Sequence, residues 1–265
     1  MSEEATIVLV HGALADASSF AGVIRELETA GRTVVALPNP LRGLVSDAES
    51  IATRVAAIEG PVVLVGHSYA GAVIGQASAG LANVKALVFL AGLSLDVGES
   101  CASVQAPYPP TLVVKTSYLT DYDAPGAAGG PDLYLASDKF RETLCADVPA
   151  DLASVMSVTQ RPLAGAALGE AATAAGWKAI PSWYLISKQD NAVATECQRF
   201  MAGRMNAVTE TIDGSHAAFI AQPVRAAEFI QRAAVAVDRH LDEPVGATDG
   251  PHEGRLEHLL HGHRG

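Results

Sequence analysis

Short apolar runs alternate with longer segments of helical spacing over most of the chain. Runs rich in Val, Ile and Leu predict β-strands at residues 6–10, 33–37, 61–65, 84–90, 183–186 and 208–212. Apolar positions that recur every three or four residues predict helices at residues 18–30, 46–58, 69–78, 195–205 and 225–241. Strands that are apolar on both faces and alternate with helices are typical of a parallel sheet covered on both sides. The sequence therefore predicts an α/β fold with a mostly parallel, doubly wound sheet.

The alternation breaks in the middle of the chain. Residues 97–165 carry scattered prolines and the turn-rich stretch DYDAPGAAGG, with one helix predicted at 148–160. We interpret this segment as a small, mainly helical cap over the carboxyl edge of the sheet, because long structureless loops are uncommon in compact domains. An ordinary excursion without a role is the alternative. The core is then residues 1–96 and 166–241, and the polar residues 242–265 are predicted to be a disordered tail.

Length and charge narrow the functional classes. The 265 residues are enough for one large domain with a sizeable core. The formal net charge of −11, with no basic stripe, argues against binding to nucleic acid or to an anionic membrane. The apolar run at 6–10 follows Glu3 and Glu4 instead of basic residues, so we expect a buried strand and not a signal peptide. The apolar run at 86–95 is too short to span a bilayer.

The cysteines and the tail histidines give no sign of a metal site. The cysteines are widely separated and form no C-x-x-C pair: Cys101, Cys145 and Cys197. This usage is typical of a reduced, cytoplasmic protein. His258, His261 and His263 have a loose metal-like spacing, but a predicted tail offers no rigid scaffold. We expect a cytoplasmic location, no metal and no cofactor.

The stretch VGHSYAG, at residues 65–71, directly follows an apolar run and predicts a strand–turn–helix unit. Such a sharp turn presents a serine hydroxyl clear of the backbone, and small residues two positions before and after it let the strand and helix approach. Gly66 and Ala70 occupy those positions around Ser68, and Gly71 comes one residue later. We therefore predict that Ser68 is a nucleophile. A structural Gly-Ser turn is the alternative.

Two backbone N–H groups are expected to stabilise the negative charge that develops on an attacked carbonyl oxygen. One belongs to Tyr69, the first helical residue after the nucleophile, where the helix dipole adds to the effect. The other belongs to Ala13, in the loop after the first strand, because Gly12 lets that loop bend close. A simple strand-ending turn at His11 and Gly12 is the alternative.

A serine nucleophile needs a base, and a catalytic histidine needs a carboxylate that fixes its tautomer. Of the eight histidines, His216 lies in the loop directly after the last predicted strand, where the base is expected. Asp190 follows the strand before it, at the same sheet edge. Asp96 is the alternative acid, and a purely structural loop histidine is the alternative for His216. His67 is next to Ser68 and is expected to point away from it.

These residues lie in stretches that resemble the α/β-hydrolase superfamily over nearly all of residues 5–240. The chain is most similar to compact bacterial serine hydrolases and esterases related to plant methylesterases and hydroxynitrile lyases. The supporting stretches are VLVHGALADASSF, LPNPLRG, PVVLVGHSYAGAVI, VKALVFLAG, IPSWYLISKQDNAV and GSHAAFIAQP. The resemblance implies an α/β-hydrolase fold with a small helical cap. It also implies a catalytic triad and two oxyanion donors: Ser68, Asp190, His216, Ala13 and Tyr69.

Two features of the sequence bear on the type of reaction. The lyase branch of the family has threonine at the position of Gly12 and a lysine after its histidine, whereas Ala217 follows His216 here. We therefore predict a carboxylesterase that cleaves small, largely apolar esters without a cofactor. A cofactor-free lyase or C–C bond hydrolase on the same triad is the alternative, and a non-catalytic ligand-binding protein is a further one. The expected partner is a small-molecule ester, and the sequence leaves a homodimer open.

Overall fold

A sheet of six parallel strands forms the centre of the molecule. The computed structural model describes residues 4–122 and 128–242. The described strands, in chain order, are β1 Thr6–Val10, β2 Val34–Leu37, β3 Val62–His67, β4 Val84–Leu90, β5 Ser117–Thr120, β6 Asp132–Leu135, β7 Leu163–Ala164, β8 Ser182–Ser187 and β9 Val208–Ile212. The central sheet has the order β2-β1-β3-β4-β8-β9. This confirms the predicted α/β fold class.

Helices cover both faces of this sheet. The described α-helices are α1 Ala21–Thr29, α2 Leu44–Ala56, α3 Tyr69–Ala77, α4 Cys101–Gln105, α5 Leu112–Thr116, α6 Phe140–Leu144, α7 Ala150–Val158, α8 Ala166–Gly169, α9 Thr195–Arg204, α10 Ala218–Ala221 and α11 Pro223–Asp242. The predicted helix at 18–30 consists of a 3-10 turn, Ala17–Phe20, followed directly by α1. The Asp16 side chain accepts a hydrogen bond from the Ser18 N–H and caps that turn.

Alternate residues of the central strands point into two separate apolar cores. In β3, Val62 and Leu64 pack into the core that contains α2, α3 and α9, whereas Val63 and Val65 pack into the core that contains α1 and α11. All four side chains are fully buried. Burial on both faces is the reason that these strands appear in the sequence as continuous apolar runs.

The segment predicted to be the cap, residues 97–165, contains more than helices. It includes α4, α5, α6 and α7, and also a three-stranded antiparallel sheet in the order β5-β6-β7. This small sheet was not expected from the sequence. Its strands have four, four and two residues, which is too short for a clear two-residue periodicity. The boundaries of core and cap stay a prediction.

The loops that follow the strands meet at the carboxyl edge of the central sheet, as parallel strands require. They include the loop after β1 with Gly12, the turn after β3 with Ser68, and the loops after β8 and β9 with Asp190 and His216. The tail predicted at residues 242–265 lies outside the described residues except for its first position. Within the described part of the chain, no helix combines the length and the apolar character that a membrane crossing needs.

Candidate active site

Ser68 occupies the single residue between β3 and α3. Its backbone has φ 54° and ψ −124°, a conformation that costs a non-glycine residue on the order of 1–3 kcal/mol. The surrounding backbone compensates through hydrogen bonds. The Ser68 N–H donates to the Leu90 carbonyl at 3.2 Å, and the Ser68 carbonyl accepts from the N–H groups of Gly71 and Leu93, both at 2.9 Å. The turn therefore holds the half-buried Ser68 side chain clear of the strand and the helix.

The glycines around this turn are needed because backbone segments approach closely. A Cβ atom on Gly66 would lie 2.7 Å from the Ala70 carbonyl oxygen, and one on Gly71 would lie 2.5 Å from the Leu93 carbonyl oxygen. Neither contact leaves room for a methyl group. Ala70 itself is fully buried in the apolar core. Glycine is thus required at positions 66 and 71, while alanine fits between them.

The structure brings Asp190 and His216 together. His216 Nδ1–H donates to Asp190 Oδ2 at 2.7 Å, and both side chains are almost completely buried. The same carboxylate accepts hydrogen bonds from the Ala192 N–H at 2.7 Å and the Val193 N–H at 2.8 Å, and from Gln198 Nε2 at 2.8 Å. These donors fix the carboxylate, and a proton held at Nδ1 leaves His216 Nε2 as the basic nitrogen.

The structure does not bring the alternative acid to the histidine. Asp96 forms an ion pair with Lys178 at 2.5 Å. The hydrogen bond from Lys178 lowers the pKa of Asp96 below its usual value. Asp190, and not Asp96, is the carboxylate that contacts His216.

The loop after β1 packs directly under the turn at Ser68. A Cβ atom on Gly12 would lie 2.8 Å from the His67 carbonyl oxygen and 3.0 Å from Ser68 Cβ. Leu14, with φ 63°, donates its N–H to the Arg161 carbonyl at 2.9 Å. Ala13, between them, lines the same cavity as Ser68. The close approach at Gly12 places the predicted oxyanion donor Ala13 beside the serine.

His11 stabilises this loop through both of its ring nitrogens. Nδ1–H donates to the Gly12 carbonyl at 2.8 Å, and Nε2 accepts from the Asn39 N–H at 2.9 Å. Asn39 Nδ2 donates in turn to the His11 carbonyl at 3.1 Å. Burial lowers the pKa of His11, so the ring is neutral, as one donor and one acceptor require. The role of Asn39 was not predictable from the sequence, because its partner His11 lies 28 residues away.

Tyr69 is the first residue of α3, and its side chain is anchored on α2. Its hydroxyl donates to Asp47 Oδ2 at 2.7 Å, and the Arg42 N–H donates to Asp47 Oδ1 at 3.0 Å. Burial raises the pKa of both Asp47 and Tyr69. The anchored side chain holds the start of α3, where the Tyr69 N–H belongs to the positive end of the helix dipole.

The His67 side chain contacts the loop that carries His216. Its ring lies 4.6 Å from the rings of His216 and Phe219, measured between centroids. His67 Nε2–H donates to the His216 carbonyl at 2.8 Å. Burial lowers the pKa of His67 well below its usual value. Its neutral form supports the backbone of His216 in the loop after β9, and the expectation that the ring points away from Ser68 stays a prediction.

A cavity of about 420 Å³ opens between these loops and the cap. Ser68, Tyr69, Ala13 and His216 all line it. Most of its remaining lining is apolar and comes from both core and cap, for example Leu14, Val113, Leu133, Phe140, Met156 and Phe219. Among the described residues, no Asp, Glu, Lys or Arg side chain lines this cavity.

A family model described as "Alpha/beta hydrolase family" matches residues 7–229. The chain is 29% identical over 252 residues to the alpha/beta hydrolase nvfD of Aspergillus novofumigatus (strain IBT 16806). The aligned region covers 86% of this chain and 96% of that protein. Among solved structures, polyneuridine aldehyde esterase superposes with a TM-score of 0.76 at 19% identity, covering 88% of this chain and 100% of the esterase. A methylesterase of Arabidopsis, MES16, superposes with a TM-score of 0.72 at 17% identity, covering 88% of this chain and 99% of the methylesterase.

The close approach at Gly71 predicts that two neighbouring substitutions destabilise the fold to different extents. Gly71→Ala places a methyl group against the Leu93 carbonyl, so we expect a loss of about 2 kcal/mol or more in unfolding free energy and a loss of activity. Ala70→Gly removes one methyl group and lowers helix propensity, at about 1 kcal/mol. Urea unfolding of both variants measures the difference. Equal stability of the two would contradict the inferred contact.

The neutral state of His67 predicts a pH-dependent stability. Between its usual pKa of 6.5 and its lower folded pKa, the unfolded chain binds a proton that folded His67 does not. Unfolding free energy therefore falls as pH falls below about 6.5, by up to about 1.4 kcal/mol per pH unit for this group. His67→Gln should flatten this dependence between pH 7.5 and 5 in denaturant titrations. The same slope in both proteins would show that His67 does not remain neutral.

Proposed function

The chain belongs to the alpha/beta hydrolase family, and on this premise we propose that it is a carboxylic ester hydrolase with Ser68 as nucleophile. One observation carries the proposal. A histidine oriented by a buried 2.7 Å hydrogen bond to Asp190 shares a cavity with a serine held in a strained turn. Nucleophile, base and orienting acid are the elements of acyl transfer by a serine.

The proposed reaction proceeds in two halves. His216 Nε2 takes the Ser68 hydroxyl proton while Ser68 Oγ attacks the ester carbonyl carbon. The N–H groups of Ala13 and Tyr69 stabilise the oxyanion, at about 3–4 kcal/mol for each donor. His216 then gives its proton to the leaving alcohol, and an acyl-enzyme forms. Water, deprotonated by His216, attacks the acyl carbon, and the carboxylic acid leaves with restoration of Ser68.

The cavity favours small, uncharged and largely apolar esters. Its lining offers no charged side chain among the described residues, so a substrate carboxylate or ammonium group would lose its hydration without an ionic partner. Apolar groups, in contrast, would gain from contact with side chains such as Phe140 and Met156. The volume of about 420 Å³ fits a small-molecule ester.

The cysteines do not compete with Ser68 as nucleophiles. All three are buried and unpaired, and burial raises the pKa of the Cys101 thiol to about 12 and of Cys145 and Cys197 to about 11. Thiols of such pKa hold almost no thiolate at neutral pH. Unpaired cysteines also support the proposal of a reducing, cytoplasmic location.

The geometry around Gly12 favours ester hydrolysis over the lyase alternative. The lyase branch that the sequence resembles has a threonine there, but a Cβ atom at this position would lie 2.8 Å from the His67 carbonyl oxygen. The lysine of that branch is replaced by Ala217, which is buried. No observation in the described residues favours C–C bond hydrolysis or a non-catalytic role.

Ser68→Ala tests the proposal. With p-nitrophenyl acetate, we expect kcat/KM to fall by about 10⁴-fold or more, because the attacking group is removed. Asp190→Asn should lower kcat by about 10⁴-fold, since it disturbs the tautomer of His216. The matched control is Ser137→Ala, an exposed serine of the cap, which should keep wild-type turnover. Full activity of Ser68→Ala would refute the assignment, and release of cyanide from a cyanohydrin by the wild type would favour the lyase.

A further inference from the structure

The loop that carries His216 is held by the cap as well as by the core. Ser215, directly before His216, donates its backbone N–H to Asp147 Oδ2 at 3.1 Å. Its hydroxyl donates to Asp147 Oδ1 in a short hydrogen bond. Asp147 lies between α6 and α7, within the predicted cap. One carboxylate of the cap thus accepts two hydrogen bonds from the residue that precedes the base.

A second contact holds the residue that follows the base. The Ala217 N–H donates to the Leu144 carbonyl at 2.9 Å, and the same carbonyl lies 3.2 Å from the Ser215 hydroxyl. Leu144 is the last residue of α6. Residues 144–147 of the predicted cap therefore form hydrogen bonds with the residues on both sides of His216.

Close packing restricts the movement of Gly214 and Ser215 against Asp147. Ser215 is only 4% exposed, and a Cβ atom on Gly214 would lie 2.5 Å from Asp147 Oδ2. The loop can lie against the carboxylate only because Gly214 has no side chain. Asp147 itself is exposed at the surface, so solvent screens its charge, and its contribution passes through the two hydrogen bonds.

We propose that Asp147 is a positioning residue for His216. It holds Ser215 so that the imidazole of His216, already bonded to Asp190, points at Ser68. This inference rests on the proposed esterase function. It makes the cap part of the catalytic apparatus, because the alignment of the base depends on cap residues 144–147. No pattern in the sequence indicates a role for Asp147 or Ser215.

The chemistry of the contact predicts which substitution rescues it. An asparagine at position 147 can accept from the Ser215 N–H through its Oδ1 and donate from its Nδ2 to the Ser215 hydroxyl oxygen. That hydroxyl can then donate to the Leu144 carbonyl, which is 3.2 Å away. Alanine offers neither bond. Asp147→Asn should therefore preserve the position of the loop although it removes the negative charge. Asp147→Ala should not preserve the position of the loop.

Steady-state kinetics with a neutral p-nitrophenyl ester test the inference. Asp147→Ala should lower kcat by about 3- to 10-fold, because both hydrogen bonds to Ser215 are lost, with KM within about 2-fold. Asp147→Asn should recover to within about 2-fold of wild type. Asp151→Ala, which removes an exposed carboxylate from the first turn of α7, is the matched control and should change neither constant. An unchanged kcat in Asp147→Ala, or no recovery in Asp147→Asn, would overturn the inference.

A measurement without turnover separates this inference from the proposed function. In protein labelled with ¹⁵N-histidine, the Nδ1–H proton of His216 should give a downfield resonance because it is bonded to Asp190. We expect this resonance to be sharp in the wild type and in Asp147→Asn, and broadened in Asp147→Ala. If the wild type hydrolyses no ester, the proposed function fails and the resonance still reports on the contact. An unchanged resonance in Asp147→Ala would refute the positioning role.

Discussion

The turn at Ser68 requires three backbone segments to approach more closely than side chains permit. The loop after β1 contacts it through Gly12, the strand β3 through Gly66, and the helix α3 contacts the loop after β4 through Gly71. These close approaches let the backbone form the hydrogen bonds that offset the cost of the serine's left-handed backbone, on the order of 1–3 kcal/mol. The same contacts bring Ala13 and Tyr69 to the cavity that Ser68 lines. The geometry of the proposed nucleophile and that of the proposed oxyanion donors thus arise from one packing constraint.

The positions of Asp190 and His216 depend on polar contacts and not on close backbone packing. Asp190 is buried but fully engaged, with two backbone N–H groups, Gln198 and His216 as its donors. A buried carboxylate with such partners keeps one orientation, and its charge can stabilise an imidazolium at His216. His67 supports the backbone of His216 through a hydrogen bond to its carbonyl, and it introduces no charge because its ring is neutral. His216, the proposed base, is thereby oriented by the protein itself, which is the arrangement that electrostatic catalysis favours.

The core of the fold was predictable from the sequence because local patterns determine it. The runs at β1, β3 and β4 are apolar on both faces, and the turn at Ser68 and the loop with His216 follow directly from strand ends. Other features depend on contacts between distant residues. Asp147 and Ser215 are 68 positions apart, and His67 and His216 are 149 apart. No periodicity or motif connects such pairs, and the choice of Asp190 over Asp96 likewise became clear only from their partners.

We propose that Ser68 is an activated nucleophile in a preorganised site. The most direct test is reaction of the folded protein with a fluorophosphonate, followed by mass spectrometry of its peptides. We expect a single adduct, on Ser68, which does not form in protein unfolded with urea because His216 can activate the hydroxyl only in the fold. An unlabelled folded protein, or an adduct on another residue, would contradict it.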